Sequence, residues 1–431
     1  MNVYDDNEST VAQVDTQPLP VPEVDVPEPI EAIVAGHICL DIIPTLTGST
    51  TTFVPGRLIE AGRATLATGG PVSNTGLALH KLGVRTRLMG KVGNDLFGQA
   101  ILQVIRGYEP ELATGMVVAP GEESSYSVII SSPGTDRVII HAPGCNDTFQ
   151  ASDVYYDLLT NARLFHFGYP PLMASMYRNN GEELAALFQQ AKATGVTTSL
   201  DLSLPEAESP AGRANWHAIL AATLPYVDIF LPSIEELLLL LHRPLFEKFT
   251  AEANGGSMID YIPPDVVSLL GKSLLDMGVR IVGIKMGHRG LYLCTADAVA
   301  LAQMGHARPP AKFANWVSRE LWSPCFATQV VGTTGSGDAT IAGFLMGFLK
   351  GMTPEATLAT ACAVGACSVE AADALGGIRS WPETLERIAH GWPRLQLESK
   401  GLPSLAMADI GWHWDAKHEV WAGPMNHVDT L

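Results

Sequence analysis

The chain has 431 residues, 47% of them hydrophobic, and a formal net charge of -18 at pH 7. A chain of this length and hydrophobic content can bury at least one large core, which excludes a wholly disordered protein. Nucleic acids and anionic membranes bind clustered Lys and Arg, so the acidic balance excludes both as expected partners.

Residues 1–30 are predicted to form a disordered, Pro-rich acidic arm. Residues 1–31 carry eight acidic residues and no Lys or Arg. Such a composition cannot bury enough apolar surface to offset the entropy lost on ordering. The N-terminus lacks the features of a secretion signal, and no apolar run approaches the about 20 residues that span a bilayer. We therefore expect a cytoplasmic protein.

The six cysteines are predicted to be buried thiols. They are scattered through apolar segments, without the close pairs that are typical of zinc sites or of a dense disulfide framework.

From residue 31 onward, strand patterns alternate with helix patterns. The run "IVAGHICLDI" predicts a buried strand that carries Asp41 at its end. Pairs such as "GEELAALFQQAKATG" with "VTTSLDLS" and "VVSLLGKSLLDMG" with "VRIVGIKMG" repeat the theme. The alternation predicts an α/β fold with a mainly parallel central sheet and helices on both faces.

Two stretches, roughly 46–66 and 112–143, interrupt this alternation with antiparallel strand patterns and Gly or Pro turns. We expect these stretches to pair into a small second sheet. Ligands bind parallel sheets at the carboxyl ends of the strands, so a small sheet beside the first strand would act as a lid.

The stretch "VVGTTGSGDATIAGF" carries the strongest chemical signal. Gly335, Ser336 and Gly337 have no bulky side chains, so their amides can point together at an anion beside the start of a helix. Asp338, next to them, can accept the proton of a hydroxyl that attacks a phosphoryl group. The alternative is that Asp338 is a helix N-cap and that the glycines form a turn.

This stretch, together with "GGPVSNTGLALHKLGVRTRLMGKVGNDLFGQAI", resembles the two signatures of the ribokinase-like carbohydrate kinases, also called the PfkB family. The order and spacing of the two signatures agree with the family over roughly residues 31–395. The resemblance implies a ribokinase-like kinase domain and ATP-dependent, Mg²⁺-dependent phosphorylation of a hydroxyl of a small sugar or polyol. Residues 396–431 would then be a C-terminal Trp-rich extension.

The resemblance implies a set of residues that bind the acceptor. Asp41 would hydrogen-bond acceptor hydroxyls, and the other members of the set are Gly69, Gly70, Asn74 and Asn146. Each polar member has an alternative role, since Asp41 could cap a strand end, Asn74 could cap a helix and Asn146 could serve a turn.

The resemblance also implies a set of residues near the nucleotide, namely Lys285, Gly287, Gly290, Thr334 and Cys362. The alternative for Lys285 is a solvated lysine at a strand end. Cys362 stands where some relatives place an asparagine that contacts the nucleotide.

Two departures from the family pattern concern ions. Gly332 replaces an aspartate that helps relatives to hold a monovalent cation, so dependence on such a cation is in doubt. The family motif Asn-x-x-Glu is here Ser233 to Glu236, which suggests that Glu236 serves magnesium through water. Its alternative role is that of an exposed helix residue.

The resemblance also leads to expectations about the class of acceptor and about the partners. No arginine follows Asp201 in "SLDLSLP", so a neutral sugar fits better than a sugar acid, and His166 and Tyr169 fall near the substrate side. One alternative is a nucleoside kinase with Tyr126 and Phe53 stacked on the base, and another is a non-catalytic protein with the kinase fold. The family also suggests a homodimer formed through the lid.

Three tryptophans lie in the C-terminal extension, in "GWHWDAKHEVW". Disordered tails rarely carry so many aromatic residues. We expect the extension to dock on the body of the protein or on a second subunit, the alternative being a loosely ordered tail.

Overall fold

The computed structural model describes residues 30–46, 55–56, 58–130, 138–309, 315–397 and 407–426. The predicted N-terminal arm and Phe53 therefore lie outside the described residues, apart from Ile30 of the arm. Within the described part of the chain, no helix is long and apolar enough to cross a membrane.

The strands follow one another along the chain as Ala32–Gly36 (β1), Cys39–Leu46 (β2), Ala61–Gly69 (β3), Thr86–Met89 (β4), Lys91–Gly93 (β5), Val117–Ala119 (β6), Tyr126–Ile130 (β7), Val138–Ala142 (β8), Leu164–Gly168 (β9), Thr197–Leu200 (β10), Ile229–Phe230 (β11), Ile281–Lys285 (β12), Leu291–Thr295 (β13), Glu320–Ser323 (β14), His413–Asp415 (β15) and Val420–Ala422 (β16).

The α-helices, in the same order, are Pro71–Lys81 (α1), Leu96–Tyr108 (α2), Tyr156–Leu159 (α3), Ala174–Tyr177 (α4), Glu182–Ala193 (α5), Trp216–Thr223 (α6), Ile234–Leu241 (α7), Arg243–Ala253 (α8), Pro264–Asp276 (α9), Ala298–Ala302 (α10), Ser336–Leu349 (α11), Pro354–Ser368 (α12) and Trp381–Ala389 (α13).

The large sheet has the strand order β15-β16-β14-β13-β12-β11-β10-β9-β1-β4. Six neighbouring strands of this sheet are parallel to one another, namely β4, β1, β9, β10, β11 and β12. The strands β13, β14, β16 and β15 each pair antiparallel with their neighbours. On β1, Ala32 and Val34 join one hydrophobic core, while Ile33 and Ala35 join the other. A strand buried on both faces needs apolar residues at every position, which explains why this run does not alternate with polar residues.

Helices cover both faces of this sheet. One core contains residues of α1, α2, α11 and α12, and the other contains residues of α5, α6, α7 and α9. The predicted fold class is confirmed, since the chain forms a large, mostly parallel sheet between helices and a separate small sheet.

The small sheet, hereafter called the lid after its predicted role, has the strand order β3-β2-β7-β8. Strand β2 pairs antiparallel with β3 and parallel with β7, and β7 pairs antiparallel with β8. The predicted lid boundaries differ from the observed ones at two places. The lid begins at Cys39 rather than near residue 46, and Val117–Ala119 pairs with β5 in a separate two-stranded sheet.

Asp41 lies in the lid sheet, which corrects the prediction that it ends the first core strand. The chain leaves the large sheet at Gly36 and enters the lid at Cys39. Gly36 has φ 122, and a Cβ there would collide with the carbonyl oxygen of Gly168. The Asn146 side chain then holds the crossing by accepting from Ile38 N at 3.2 Å and donating to Ile38 O at 2.9 Å. The apolar run is continuous across this point, so its pattern gives no sign of the break.

The described part of the C-terminal extension, residues 407–426, packs on the body. Strands β15 and β16 extend the large sheet through β14. Trp412 is 1% exposed, and its ring lies 6.0 Å from that of Trp322 and 6.2 Å from that of Tyr292, centroid to centroid. Trp414 is 43% exposed and its ring contacts that of Trp421.

These positions predict unequal effects for two tryptophans in one segment. Trp412→Ala should lower the free energy of unfolding by about 3–5 kcal/mol, because it empties a buried aromatic site. Trp414→Ala, the matched control, should cost about 1 kcal/mol or less because its ring is already partly in water. Chemical denaturation monitored by circular dichroism measures both. Equal losses for the two variants would contradict the docked position of the extension.

Candidate active site

Asp338 is the third residue of α11 and is 2% exposed. Three side chains donate to its carboxylate: Asn74 Nδ2 to Oδ2 at 3.0 Å, Thr75 Oγ1 to Oδ1 at 3.2 Å, and the Tyr169 hydroxyl to Oδ2 at 2.9 Å. The N-cap of α11 is Gly335, so the alternative role of Asp338 as an N-cap does not hold. A buried carboxylate needs such partners, and here they come from two distant segments of the chain.

Burial raises the pKa of Asp338 above the usual aspartate value, although the hydrogen bond from Asn74 and the nearby Lys285 charge lower it. Burial, and next the charge of Asp338, raise the pKa of Tyr169 well above its usual range. The Tyr169 hydroxyl therefore keeps its proton and remains a donor to Asp338 at neutral pH.

The glycine signature forms the turn that leads into this helix. Gly335 has φ 69, a conformation that side chains with a Cβ rarely adopt, and a Cβ there would collide with the Ala374 Cβ. The Ser336 amide donates to Thr333 O at 3.3 Å, which gives no support to its predicted use as a donor to an anion. A Cβ built on Gly337 would lie 3.7 Å from Lys285 Cε, so Lys285 runs alongside the start of α11.

Lys285 ends β12, and its ammonium nitrogen lies 2.5 Å from Asp201 Oδ1. The alternative of a solvated lysine therefore does not hold. Burial lowers the pKa of Lys285, but the carboxylates of Asp201 and Glu236 outweigh burial and raise it, which keeps the side chain charged. The second oxygen of Asp201 is buried and has no hydrogen-bond partner among the described residues.

Glu236 is 7% exposed and caps α7. Its carboxylate accepts from Ser233 N at 2.7 Å, and the Ser233 hydroxyl accepts from Glu236 N at 3.2 Å. The alternative role as an exposed helix residue is therefore wrong. Its charge acts on both Lys285 and Tyr169, as do the charges of Asp201 and Asp338.

A cavity of about 420 Å³ opens between the lid and the turn before α11. Its lining brings together Asp41 and Asn74 of the predicted acceptor set with Thr334 of the predicted nucleotide set. Asn74 lies in the first turn of α1, whose N-cap is Gly70, so the alternative role of Asn74 as a cap does not hold. Two residues of the predicted acceptor set and one of the predicted nucleotide set thus line the same cleft.

The two glycines before α1 permit a close approach of neighbouring groups. A Cβ on Gly69 would collide with Asp41 Oδ2. Gly70 has φ 86, and a Cβ there would lie 2.5 Å from the carbonyl oxygen of His37. A larger residue at either position would push the lid strand β2 away from the start of α1.

Other predicted residues lie away from this cavity. Asn146 is fully buried and uses its amide group on Ile38, which gives no support to an acceptor contact. Cys362 is 2% exposed in the core, and its thiol donates to Ser323 O at 3.7 Å, which gives no support to a nucleotide contact. Gly290 lies beside the same carbonyl, since a Cβ there would collide with Ser323 O.

Gly287 and Gly290 form the turn between β12 and β13, with φ 52 and φ 94. The turn follows Lys285 directly, so it lies beside the predicted phosphate region. All six cysteines are free thiols, and Cys325, next to this turn, is the one among them that is partly exposed.

Gly332 lies in a crowded stretch of backbone on the cavity wall. A Cβ there would lie 2.9 Å from Ala371 O and 3.0 Å from Ala372 O. The backbone of this chain therefore leaves no room for the carboxylate that relatives have at this position. The prediction on cation dependence stays a prediction.

Sequence reasoning missed two side chains of the site and left a third open. Asp201 entered only as the position before a missing arginine, and Thr75 did not enter. Tyr169 was considered, but its contact with Asp338 depends on a positive φ of 64 that the letters do not reveal. His166, considered with it, is buried against Ser199 with its Nδ1 3.0 Å from Ser199 Oγ. Tyr126 packs on Phe97, ring centroids 5.3 Å apart, so its ring already has a partner.

Comparison with known proteins supports the family resemblance that the two sequence signatures indicate. The sequence model described as pfkB family carbohydrate kinase matches residues 30–380. An uncharacterized sugar kinase of Archaeoglobus fulgidus is 27% identical over 276 residues, which are 64% of this chain and 87% of the relative. Fructokinase-1 of Zea mays is 24% identical over 317 residues, 73% of this chain and 82% of the relative.

The fold is also similar to that of solved ribokinase structures. A structure of a putative ribokinase II from E. coli, solved in complex with ATP and Mg²⁺, aligns with a TM-score of 0.61 at 18% identity. The alignment covers 84% of this chain and 99% of the other.

Proposed function

The chain belongs to the pfkB family of carbohydrate kinases, and we propose that it transfers the terminal phosphoryl group of ATP to a hydroxyl of a small neutral sugar or polyol. Enzymes of this family are phosphotransferases that act on a hydroxyl acceptor. The observation that carries the proposal is the buried carboxylate of Asp338, which lies at the start of α11 beside the lid cavity.

In the proposed reaction, Asp338 accepts the proton of the attacking hydroxyl. The oxygen–hydrogen bond of the acceptor breaks as its oxygen bonds the terminal phosphorus, and ADP leaves with the bridging oxygen. The donors from Asn74, Thr75 and Tyr169 fix the orientation of the carboxylate. A raised pKa makes it a stronger base than an exposed aspartate.

The flanking amides of Gly335 and Gly337 and the positive end of the α11 dipole are the proposed stabilisers of the charge on the transferred phosphoryl group. Lys285 runs beside Gly337 and remains charged, so it fits the same role. Thr334, Gly287 and Gly290 are the other proposed neighbours of the nucleotide.

Magnesium is proposed as the companion of ATP, as in the E. coli structure with ATP and Mg²⁺. The residues of this chain fit the ion, because it prefers oxygen ligands and retains several waters. Glu236 is proposed to serve it through water, and the unpartnered second oxygen of Asp201 offers another acceptor for such a water. Bound magnesium would neutralise the charge on the phosphates.

Asp41, Gly70 and Asn74 are the proposed acceptor-binding residues, with Gly69 permitting the position of Asp41. Asp41 and Asn74 line one cavity with uncharged side chains such as those of Thr68 and Ile129. A sugar acid would need a cation there, and the lining contains none among the described residues. The likeness to a fructokinase agrees with a neutral sugar.

Asp338→Asn should lower kcat by about 10²- to 10⁴-fold, because it removes the base and keeps the shape of the side chain. The melting temperature should stay equal or rise, because the variant removes a buried charge whose raised pKa marks it as destabilising in the ionised form. Asp265→Asn, at an exposed carboxylate of α9, is the control and should keep wild-type turnover. Near-full turnover of Asp338→Asn would contradict the assignment of the base.

Tyr169→Phe should move the acid limb of the pH profile of kcat/KM to higher pH. The hydrogen bond from Tyr169 lowers the pKa of Asp338, so its loss raises that pKa and protonates the base at a higher pH. Tyr156→Phe is the matched control, because its hydroxyl donates to Ala151 O instead. An acid limb that is the same in all three proteins would mean that Asp338 does not set it.

A homodimer formed through the lid is proposed from the exposed apolar residues of its edge strands. Leu66 of β3 is 54% exposed, and Val138, Ile139 and Ile140 of β8 are each more than half exposed, at 58%, 51% and 55%. The variant Ile139→Asp should sediment as a monomer while the wild type sediments as a dimer. A monomeric wild type, or a variant that remains dimeric, would overturn the proposal.

A further inference from the structure

A cluster of three metal-ligating side chains lies where the lid joins the core, and the proposed phosphoryl transfer does not use it. His37 lies in the connection between β1 and β2, Cys39 begins β2, and His141 is on β8. One ligand atom of each residue lies within 4.8 Å of the others. His37 is 2% and Cys39 4% exposed, so the cluster is shielded from bulk water.

The strand register brings the three residues to one place. Asp41, Ser127 and His141 are paired across β2, β7 and β8, so they form one row on the lid sheet. Cys39 is two residues before Asp41 on the same strand and thus shares its face. This pairing places His141 beside His37 and Cys39, although it is more than 100 positions away from them in sequence.

The spacing of the two imidazole nitrogens fits a tetrahedral metal site. His37 Nε2 and His141 Nε2 are 3.3 Å apart. Zinc–nitrogen bonds of about 2.0–2.1 Å place two nitrogens of a tetrahedron about 3.3–3.4 Å apart. Two imidazole nitrogens and a thiolate are also the ligand types that zinc accepts.

The surroundings supply the supporting contacts that such ligands need. Ser127 Oγ lies 3.1 Å from His141 Nδ1 and 3.6 Å from Cys39 Sγ. A proton on His141 Nδ1 that is donated to this hydroxyl leaves the Nε2 lone pair facing His37, as in the outer shell of metal-binding histidines.

Among the described residues, the hydrogen-bonding contact of the His37 ring is the one between its Nε2 and His141 Nε2. His37 Nδ1 is buried and has no hydrogen-bond partner among the described residues. A metal ion would use the two facing nitrogens together.

We propose that His37, Cys39 and His141 bind one divalent ion of the zinc class at the hinge between the lid and the core. When the ion binds, the Cys39 thiol releases its proton to solvent as the sulfur–metal bond forms, and no oxidation is involved. The fourth position is left to water or to Asp41, whose Oδ1 lies 3.3 Å from Cys39 Sγ. The ion would tie β2 and β8 of the lid to the end of β1.

The test is titration of the full-length, chelator-treated protein with Co²⁺, which reports thiolate ligation and four-coordinate geometry in its absorption spectrum. The expected result is one Co²⁺ per chain, with a sulfur-to-cobalt charge-transfer band in the near ultraviolet that Zn²⁺ abolishes by displacement. Cys39→Ser should lose that band and bind at least about 10-fold more weakly. Cys325→Ser, which removes the partly exposed thiol, is the control and should retain both.

His141→Ala is the second variant, because it removes a ligand at the partly exposed rim and leaves Cys39 in place. Its expected result is weaker binding with an altered cobalt spectrum. Zn²⁺ should raise the melting temperature of the wild type and of Cys325→Ser, and at the same Zn²⁺ concentration it should raise that of Cys39→Ser and His141→Ala by less. A wild type that binds no Co²⁺, or a charge-transfer band that persists in Cys39→Ser, would overturn the proposal.

Discussion

The candidate active site is organised around the buried carboxylate of Asp338 at the start of α11. It is held by donors from the first turn of α1 and from the segment after β9, so one charge joins the glycine signature, the start of α1 and the end of a core strand. The charge of Lys285 and the hydrogen bonds offset part of the cost of burial. The part of this cost that is not offset raises the pKa of Asp338. A carboxylate with a raised pKa is a better proton acceptor, which is the basis of the proposed catalytic role.

Close backbone approaches make this arrangement possible. Gly36 and Gly70 both have positive φ values and lie against neighbouring backbone where a Cβ would collide. They allow the lid to leave the core within two residues and α1 to begin beside Asp41. The lid and the turn before α11 therefore face each other across one cavity. The proposed metal site would hold the crossing from β1 to β2.

The local parts of the structure could be predicted from the sequence, and the long-range parts could not. Apolar periodicity predicted the alternating strands and helices, and the Gly-Ser-Gly-Asp pattern predicted the turn that leads into α11 beside Asp338. The break between β1 and β2 escaped because both strands are apolar and the break depends on Asn146, more than a hundred residues away. The pairing of Lys285 with Asp201, the donor role of Tyr169 and the convergence of His141 with Cys39 depend in the same way on tertiary contacts. The short strands β15 and β16 join the sheet through β14, a pairing that the local pattern does not specify.

The most direct test of the proposed function is ADP release from Mg-ATP by the wild-type protein, measured across neutral sugars, polyols, sugar acids and nucleosides. The proposed cleft predicts release that depends on a neutral sugar or polyol and remains at background with sugar acids and nucleosides. Release that is independent of any acceptor, or that responds to nucleosides alone, would contradict the proposed function.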